Sequence, residues 1–166
     1  ALHRAACNAV RDTQTVYSAG RISYVMQGID LWCLLPGNRI ICYPEARVVT
    51  EDGKYGPQRK LSAIKGNWYP AEKQIEWPRI NLWAGILAEN GTQGYCASLL
   101  RLAARTLDEW GWPVTMHTHD ELLLEVFVEE EAEAKDALQK AMTQPTDWNV
   151  NLPLSADSFS GVVYGK

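Results

Sequence analysis

The run His117-Thr118-His119-Asp120-Glu121-Leu122-Leu123-Leu124-Glu125-Val126 decides how this chain is read. An apolar segment that reads as a buried strand is entered through two adjacent carboxylates. Charged groups beside such a segment are costly to desolvate, so they call for a partner. A divalent cation is one such partner. Successive strand residues point to opposite faces, so a strand running straight through would separate Asp120 from Glu121. A tight turn would instead present both at a hairpin tip. Hard cations such as Mg²⁺ take one or two carboxylates together with phosphates and water. Two-metal phosphoryl transfer holds its ions roughly 4 Å apart between such groups. Asp120 and Glu121 therefore read either as half of a two-metal site or as an exposed acidic turn. His117 and His119 share a strand face and add a zinc reading. The chain has three histidines in all, His3 being the other, which leaves a histidine-rich zinc site short of ligands.

Working outward, Pro113 to His117 is the strand entering this motif, and Glu129 to Met142 is a helix leaving it. Acidic residues occupy that helix's first turn, where the dipole favours them, and Pro145 stops it. The tail, with Leu152-Pro-Leu-Ser and Gly161-Val-Val-Tyr, reads as one or two short strands. Upstream, Trp83, Ile86, Leu87, Leu99, Leu100, Ala103 and Leu107 recur at helical spacing from about Asn81 to Trp110, and Gly111 ends the run. Such a helix would be roughly 45 Å long. The residues Ala1 to Asp12 also read as helix. Arg21 to Met26, Asp30 to Leu35 and Arg39 to Tyr43 read as strands, with Pro36-Gly37-Asn38 turning the last two into a hairpin. Residues Glu51 to Gln74 are polar and read as a long loop. The mixture implies an α+β chain, an antiparallel sheet with long helices packed on one face.

Bulk properties bound the function. With 166 residues the chain suits one domain or a large piece of one, and with 46% hydrophobic and 22% charged residues it can build a core. A net charge of −4 supplies no global basic field for nucleic acid, although Lys and Arg concentrate from Arg39 to Arg79. The four cysteines, Cys7, Cys33, Cys42 and Cys96, form no Cys-x-x-Cys, which argues against structural zinc; Cys33 and Cys42 could face each other across the hairpin. Nothing resembles a secretory signal, and no apolar run is long enough to span a membrane. A reduced, intracellular setting is the simplest expectation. The absence of a helix-start signal before Ala1 reads as a chain opening in mid-helix.

The long helix contains Glu89-Asn90-Gly91-Thr92-Gln93-Gly94. Each glycine there costs about 1 kcal/mol relative to alanine, so something should approach closely. Asn90 and Gln93, three apart, form an amide pair on a small-residue stripe. Such a pair can donate to minor-groove acceptors, which every base pair offers. The competing reading is a helix–helix crossing with glycine at the contact.

Together these segments resemble the C-terminal palm region of family A DNA polymerases, especially the phage and prophage type. The resemblance rests on Glu89-Asn90-Gly91-Thr92-Gln93 leading into a long helix, Gly111-Trp112-Pro113-Val114 closing it, His119-Asp120-Glu121-Leu122, and the terminal Trp148 to Asp157 stretch with Leu152-Pro153-Leu154. Leu34-Leu35-Pro36-Gly37-Asn38-Arg39 and Tyr43-Pro44 look like that family's Leu-Pro-Ser-Gly-Arg hairpin. By this resemblance Asp120 would ligate the catalytic Mg²⁺ ions, Glu121 would support them, and His119 would approach the primer 3′ end. Gln93, with Asn90 nearby, would touch the primer–template duplex. His117 would be a packing residue.

The chain departs from the family pattern. Motif A, an Asp-x-Ser-x-x-Glu strand carrying the second carboxylate, and motif B, the fingers helix, are absent; Lys54-Tyr55-Gly56 lacks the motif B context. Ile86 stands where the family has a DNA-facing lysine, and Ala97-Ser98 stand where many relatives carry Arg-Asp. The resemblance thus implies one partial domain over residues 1–166, a palm piece of a nucleotidyltransferase that does not extend primers alone. Its partners would be primer–template DNA, deoxynucleotides and the missing fingers and motif A segment, in a bacterial or phage-infected cytoplasm. An apolar face left by the missing neighbour would favour self-association. The competing expectations are a non-catalytic remnant or split half that binds DNA or a partner, and a stand-alone metal hydrolase.

Overall fold

A computed structural model describes residues 1–53, 56–65 and 77–164. The chain is α+β, and all of its strand pairs are antiparallel. It divides into two compact units, Ala1–Tyr95 and Cys96–Lys166.

In the first unit α1 (Leu2–Arg11) is followed by β1 (Tyr17–Ala19), β2 (Ile22–Gln27), β3 (Asp30–Leu35) and β4 (Arg39–Tyr43), which form a meander in sequence order. The glycine of the Pro36-Gly37-Asn38 turn has φ 74, a left-handed conformation that glycine adopts without steric cost. The α1 helix packs on this sheet through Ala5, Ala6, Cys7 and Ala9, small residues that let the helix approach closely. Tyr24, Leu31, Cys33, Leu35 and Tyr43 fill the sheet side of the core. Cys33 pairs with Ile41, whereas Cys42 pairs with Trp32. The two cysteines therefore do not face each other: Cys33 is buried, Cys42 is exposed, and both are free.

The segment that reads as a loop from Glu51 is in part a second sheet. β5 (Arg47–Gly53) pairs with β6 (Gly56–Ile64), which pairs with β7 (Arg79–Asn81). Val48, Leu61, Ala63 and Ile80 turn inward to the core, and the polar residues between them face out. The alternation covers only one end of β6, since Gly56 to Lys60 are all exposed, which leaves too few apolar positions to mark a strand in the sequence. Of the same expected loop, residues 66–74 and Lys54-Tyr55 lie outside the described residues. The guanidinium of Arg79 donates to the Ser62 and Glu45 carbonyls at 3.1 and 2.6 Å and fixes β7. Residues up to Asn81 are thus strand, and α2 begins only at Ala84.

α2 (Ala84–Glu109) has 26 residues, so it is about 39 Å long rather than 45. Ile86 and Leu87, at its start, pack into the first unit's core. It ends at Gly111 with φ 87, as the sequence leads one to expect. The Trp112 N–H closes the end on the Leu107 carbonyl at 2.8 Å.

In the second unit Ala103 and Leu107 of α2 pack with Ala137 and Ala141 of α3 (Glu131–Thr143). Trp112, Val114, Leu122 and Leu124 cover this cluster. Val114 and the two leucines belong to the hairpin of β8 (Val114–Thr118) and β9 (Glu121–Leu124). A 3-10 turn, Val128–Glu130, precedes α3. Beyond α3 the buried Asn149 donates to the Gln144 carbonyl at 3.0 Å and completes a tight Thr146–Asn149 turn. The tail from Leu152 to Tyr164 forms no strand, contrary to its apolar pattern. An isolated apolar pattern makes a strand only where another strand edge is offered.

Candidate functional site

Thr118 pairs with Glu121, so His119 and Asp120 form the two-residue turn of the β8–β9 hairpin. His119 has φ 49. Histidine, asparagine and aspartate are the non-glycine residues most often found in this left-handed region, and two-residue hairpins require it. Backbone strain at a surface turn is a feature that clusters at functional sites. The turn places Asp120 exposed at the tip and Glu121 half-buried at the head of β9. The strand behind it is half-buried along its whole length. Only one of its faces is covered by the helices of this unit.

The tip opens on a groove of about 480 Å³. Asp120, Glu121 and His117 of the hairpin, Leu138 of α3, and Asp157 and Tyr164 of the tail are among the residues that line it. His117, expected to pack, is exposed and faces this groove. The Tyr164 hydroxyl donates to Glu121 Oε2 at 3.0 Å. Asp157 and Tyr164 are contributors that sequence reasoning did not select. Asp157 closes the Leu152–Asp157 stretch that carries part of the resemblance, a signal that could have found it; Tyr164 offers no such pattern. The oxygen donors at the tip are of the kind Mg²⁺ prefers. Among the described residues, no three metal-ligating side chains converge. Asp120 and Glu121 are thus two oxygen donors without a third ligating side chain beside them among the described residues.

The amide pair lies in the first unit. Asn90 is half-buried and its side-chain N–H donates to the Tyr43 hydroxyl at 3.1 Å. Gln93 is exposed and donates to Glu89 one turn earlier at 3.3 Å. The two amides thus face different surroundings, one the sheet and the other solvent. Gly91 and Gly94 mark a helix–sheet contact rather than a helix–helix crossing. A Cβ on Gly91 would stand 2.8 Å from Ile22 Cδ1, and one on Gly94 would stand 2.5 Å from Leu35 Cδ1. Ile86 packs against the core, which accounts for an apolar residue at that position. Ala97 is exposed and Ser98 buried.

The hydroxyl that Asn90 meets is buried. Burial pushes the Tyr43 hydroxyl up to about 12, against the opposing effect of the Asn90 hydrogen bond. Burial likewise raises the Cys33 thiol to about 11. The Tyr24 hydroxyl, beside Cys33, is raised by burial too and makes no well-formed hydrogen bond. Within the basic run, cations meet local carboxylates. Arg47 pairs with Glu45 at 2.9 Å, Arg79 reaches the same carboxylate at 3.9 Å, and Lys60 pairs with Glu51.

An α+β chain with a histidine-aspartate turn opening onto a groove is the setting in which the comparison with known proteins falls. The chain is distantly similar to a phage DNA polymerase. The DNA polymerase of Bacillus phage SP02 is 27% identical to it over 165 residues, covering 98% of this chain and 24% of the phage protein. The chain therefore spans about a quarter of the length of that relative. No family model matches it, and no solved structure matches it. Among the described residues, no helix is long and apolar enough to cross a membrane.

Proposed function

We propose that this chain is the palm portion of a family A, template-directed DNA polymerase, with Asp120 as a ligand of the catalytic Mg²⁺. The observation that carries this reading is the β8–β9 turn, which sets Asp120 at an exposed tip with Glu121 beside it in a groove-lining position. The similarity to a phage DNA polymerase over 98% of the chain supports it. Asp120 and Glu121 would hold Mg²⁺, and bound Mg²⁺ supplies charge stabilisation to phosphoryl transfer. Tyr164 orients the Glu121 carboxylate. His119, in the turn, stands where a primer end would approach Asp120. Gln93, exposed on α2, would exchange its Glu89 hydrogen bond for one to the primer–template duplex, with Asn90 supporting the helix from the sheet side. Deoxynucleotides are the second substrate, and a bacterial or phage-infected cytoplasm the setting.

With one carboxylate pair and no motif A or motif B, the isolated chain does not polymerise. The decisive test is a chimera in which this chain replaces the aligned quarter of the SP02 phage polymerase. Primer extension by a folded chimera, abolished by Asp120→Asn, is the expected result. Extension that survives Asp120→Asn would remove Asp120 from the reaction, and a folded chimera that binds DNA without extending it would favour a non-catalytic remnant. That second reading has its own support in exposed apolar side chains, with Phe127 at 76%, Val128 at 80% and Val162 at 100% exposure. Surfaces of this kind favour a partner or self-association. A strict monomer in sedimentation at high concentration would count against it.

A further inference from the structure

A second, shallower groove lies wholly within the second unit and takes no part in the proposed polymerase chemistry. It has a volume of about 390 Å³ and is lined by Trp110, Trp112, Glu133, Asp136, Ala137 and Lys140. Trp110 directly follows α2 and is 50% exposed, a large apolar area for a soluble surface. Trp112 is anchored from behind by the unit's core, so its indole is a fixed wall. Ala137, small and buried, is also in the lining.

The charges in the groove do not cancel. Lys140 is paired with Asp136 at 2.5 Å. Glu133 makes no hydrogen bond or ion pair among the described residues, which leaves one uncompensated carboxylate beside two indoles. The carbonyl end of α2, whose last residue is Glu109 immediately before Trp110, adds negative potential on the same side. Indole faces attract cations through their quadrupole. A planar guanidinium can stack on an indole and meet a carboxylate in two-pronged fashion, which an ammonium cannot. The groove carries a single spare negative charge, so it suits one such side chain.

We infer that this groove docks an arginine side chain presented by a peptide segment of a partner protein, with the guanidinium against Trp110 and its charge on Glu133. The complementarity excludes phosphate-bearing ligands, which the same carboxylates repel. The docking is independent of the polymerase reading, since none of its residues lines the Asp120 groove.

The test is titration of the full chain, followed by the NMR signals of the tryptophan indole N–H groups. The probes are three capped tetrapeptides identical except for a central arginine, lysine or glutamine. The arginine peptide should shift the Trp110 and Trp112 signals saturably, in the millimolar range expected for one cationic contact. The lysine peptide should bind about 3-fold more weakly and the glutamine peptide not at all. Trp110→Ala and Glu133→Gln should each weaken the arginine peptide about 3-fold or more. Glu133→Gln alters only an exposed side chain, so it tests charge with the fold intact. Equal shifts with the glutamine peptide, or unchanged affinity in Glu133→Gln, would overturn the assignment. Equal affinity for lysine would overturn the choice of guanidinium.

Discussion

Asn90 is the residue at which a DNA-contacting role and a structural role give opposite results, and the contact to Tyr43 lets the magnitudes be worked. Tyr43 is 4% exposed, and its hydroxyl accepts the Asn90 N–H at 3.1 Å. Removing the amide in Asn90→Ala strands a buried hydroxyl, which costs about 1–3 kcal/mol. Alanine returns about 0.5 kcal/mol of helix propensity. The net expectation is a loss of about 0.5–2.5 kcal/mol. Tyr43→Phe is gentler, about 0.5–1 kcal/mol, because the half-buried Asn90 amide can turn to water when its acceptor is gone. In the double variant the shared hydrogen bond is counted once, so the cycle should return a coupling of about 1 kcal/mol. Gln93→Ala, at an exposed position, should stay within about 0.5 kcal/mol of the parent. Urea unfolding followed by far-UV circular dichroism of the parent and the four variants measures all of these. Wild-type stability in Asn90→Ala, with additive effects in the cycle, would refute the structural role and return Asn90 to the duplex-facing pair.

Three other outcomes follow from the same geometry. Raising the pH should destabilise the first unit. Tyr43 and Cys33 have folded pKa values of about 12 and 11, above their ordinary values of 10.0 and 9.0. Their contribution is therefore complete below about pH 9 and is lost as pH climbs through 11 and 12, at about 2–3 kcal/mol per group. Denaturant midpoints measured from pH 8 to 11.5 should fall, less steeply in Tyr43→Phe, and a flat profile would contradict the burial argument. Gly94→Ala should be less stable than Gly91→Ala. Both gain about 1 kcal/mol of helix propensity. Gly94 must also displace the buried Leu35, an overpacking cost of about 1–3 kcal/mol, whereas Gly91 meets only the end of the half-buried Ile22. Thermal melts giving the reverse order would show that the helix does not lie on the sheet as described. At the turn, His119→Val should melt below His119→Gly by about 1–2 kcal/mol, because a β-branched residue resists the left-handed conformation; equal melting would remove the strain from that position.

The helices and the hairpins were readable where pattern and punctuation agree. α2 shows helical periodicity ended by Gly111, and the β3–β4 turn is spelled by Pro36-Gly37-Asn38. β5 and β6 escaped because the inward Val48, Leu61 and Ala63 are too few to mark a strand among arginine, lysine, glutamate and glutamine. β7 received no reading of its own, because its three residues are too few to show a period, and the Arg79 contacts to Glu45 and Ser62 hold it as strand. The tail failed the other way. Its Leu152, Leu154, Val162 and Val163 suggest strands, yet no sheet edge receives them.

What the sequence determined by itself was chemistry and order: two adjacent carboxylates entering an apolar strand, an amide pair on a glycine-interrupted helix, and the succession of motifs that resembles a polymerase palm. Those are properties of residue types and spacing, and they survive any arrangement in space. Only the tertiary structure decided what each group faces. It turned Asp120 out at a hairpin tip and brought Tyr164, forty-three residues onward, to Glu121. It also committed Asn90 to Tyr43 and left Glu133 unpaired beside two tryptophans. The reason is physical. Which polar group is satisfied, strained or left over depends on partners brought together from distant parts of the chain, and the cost of leaving one unpaired exists only once burial has removed the water.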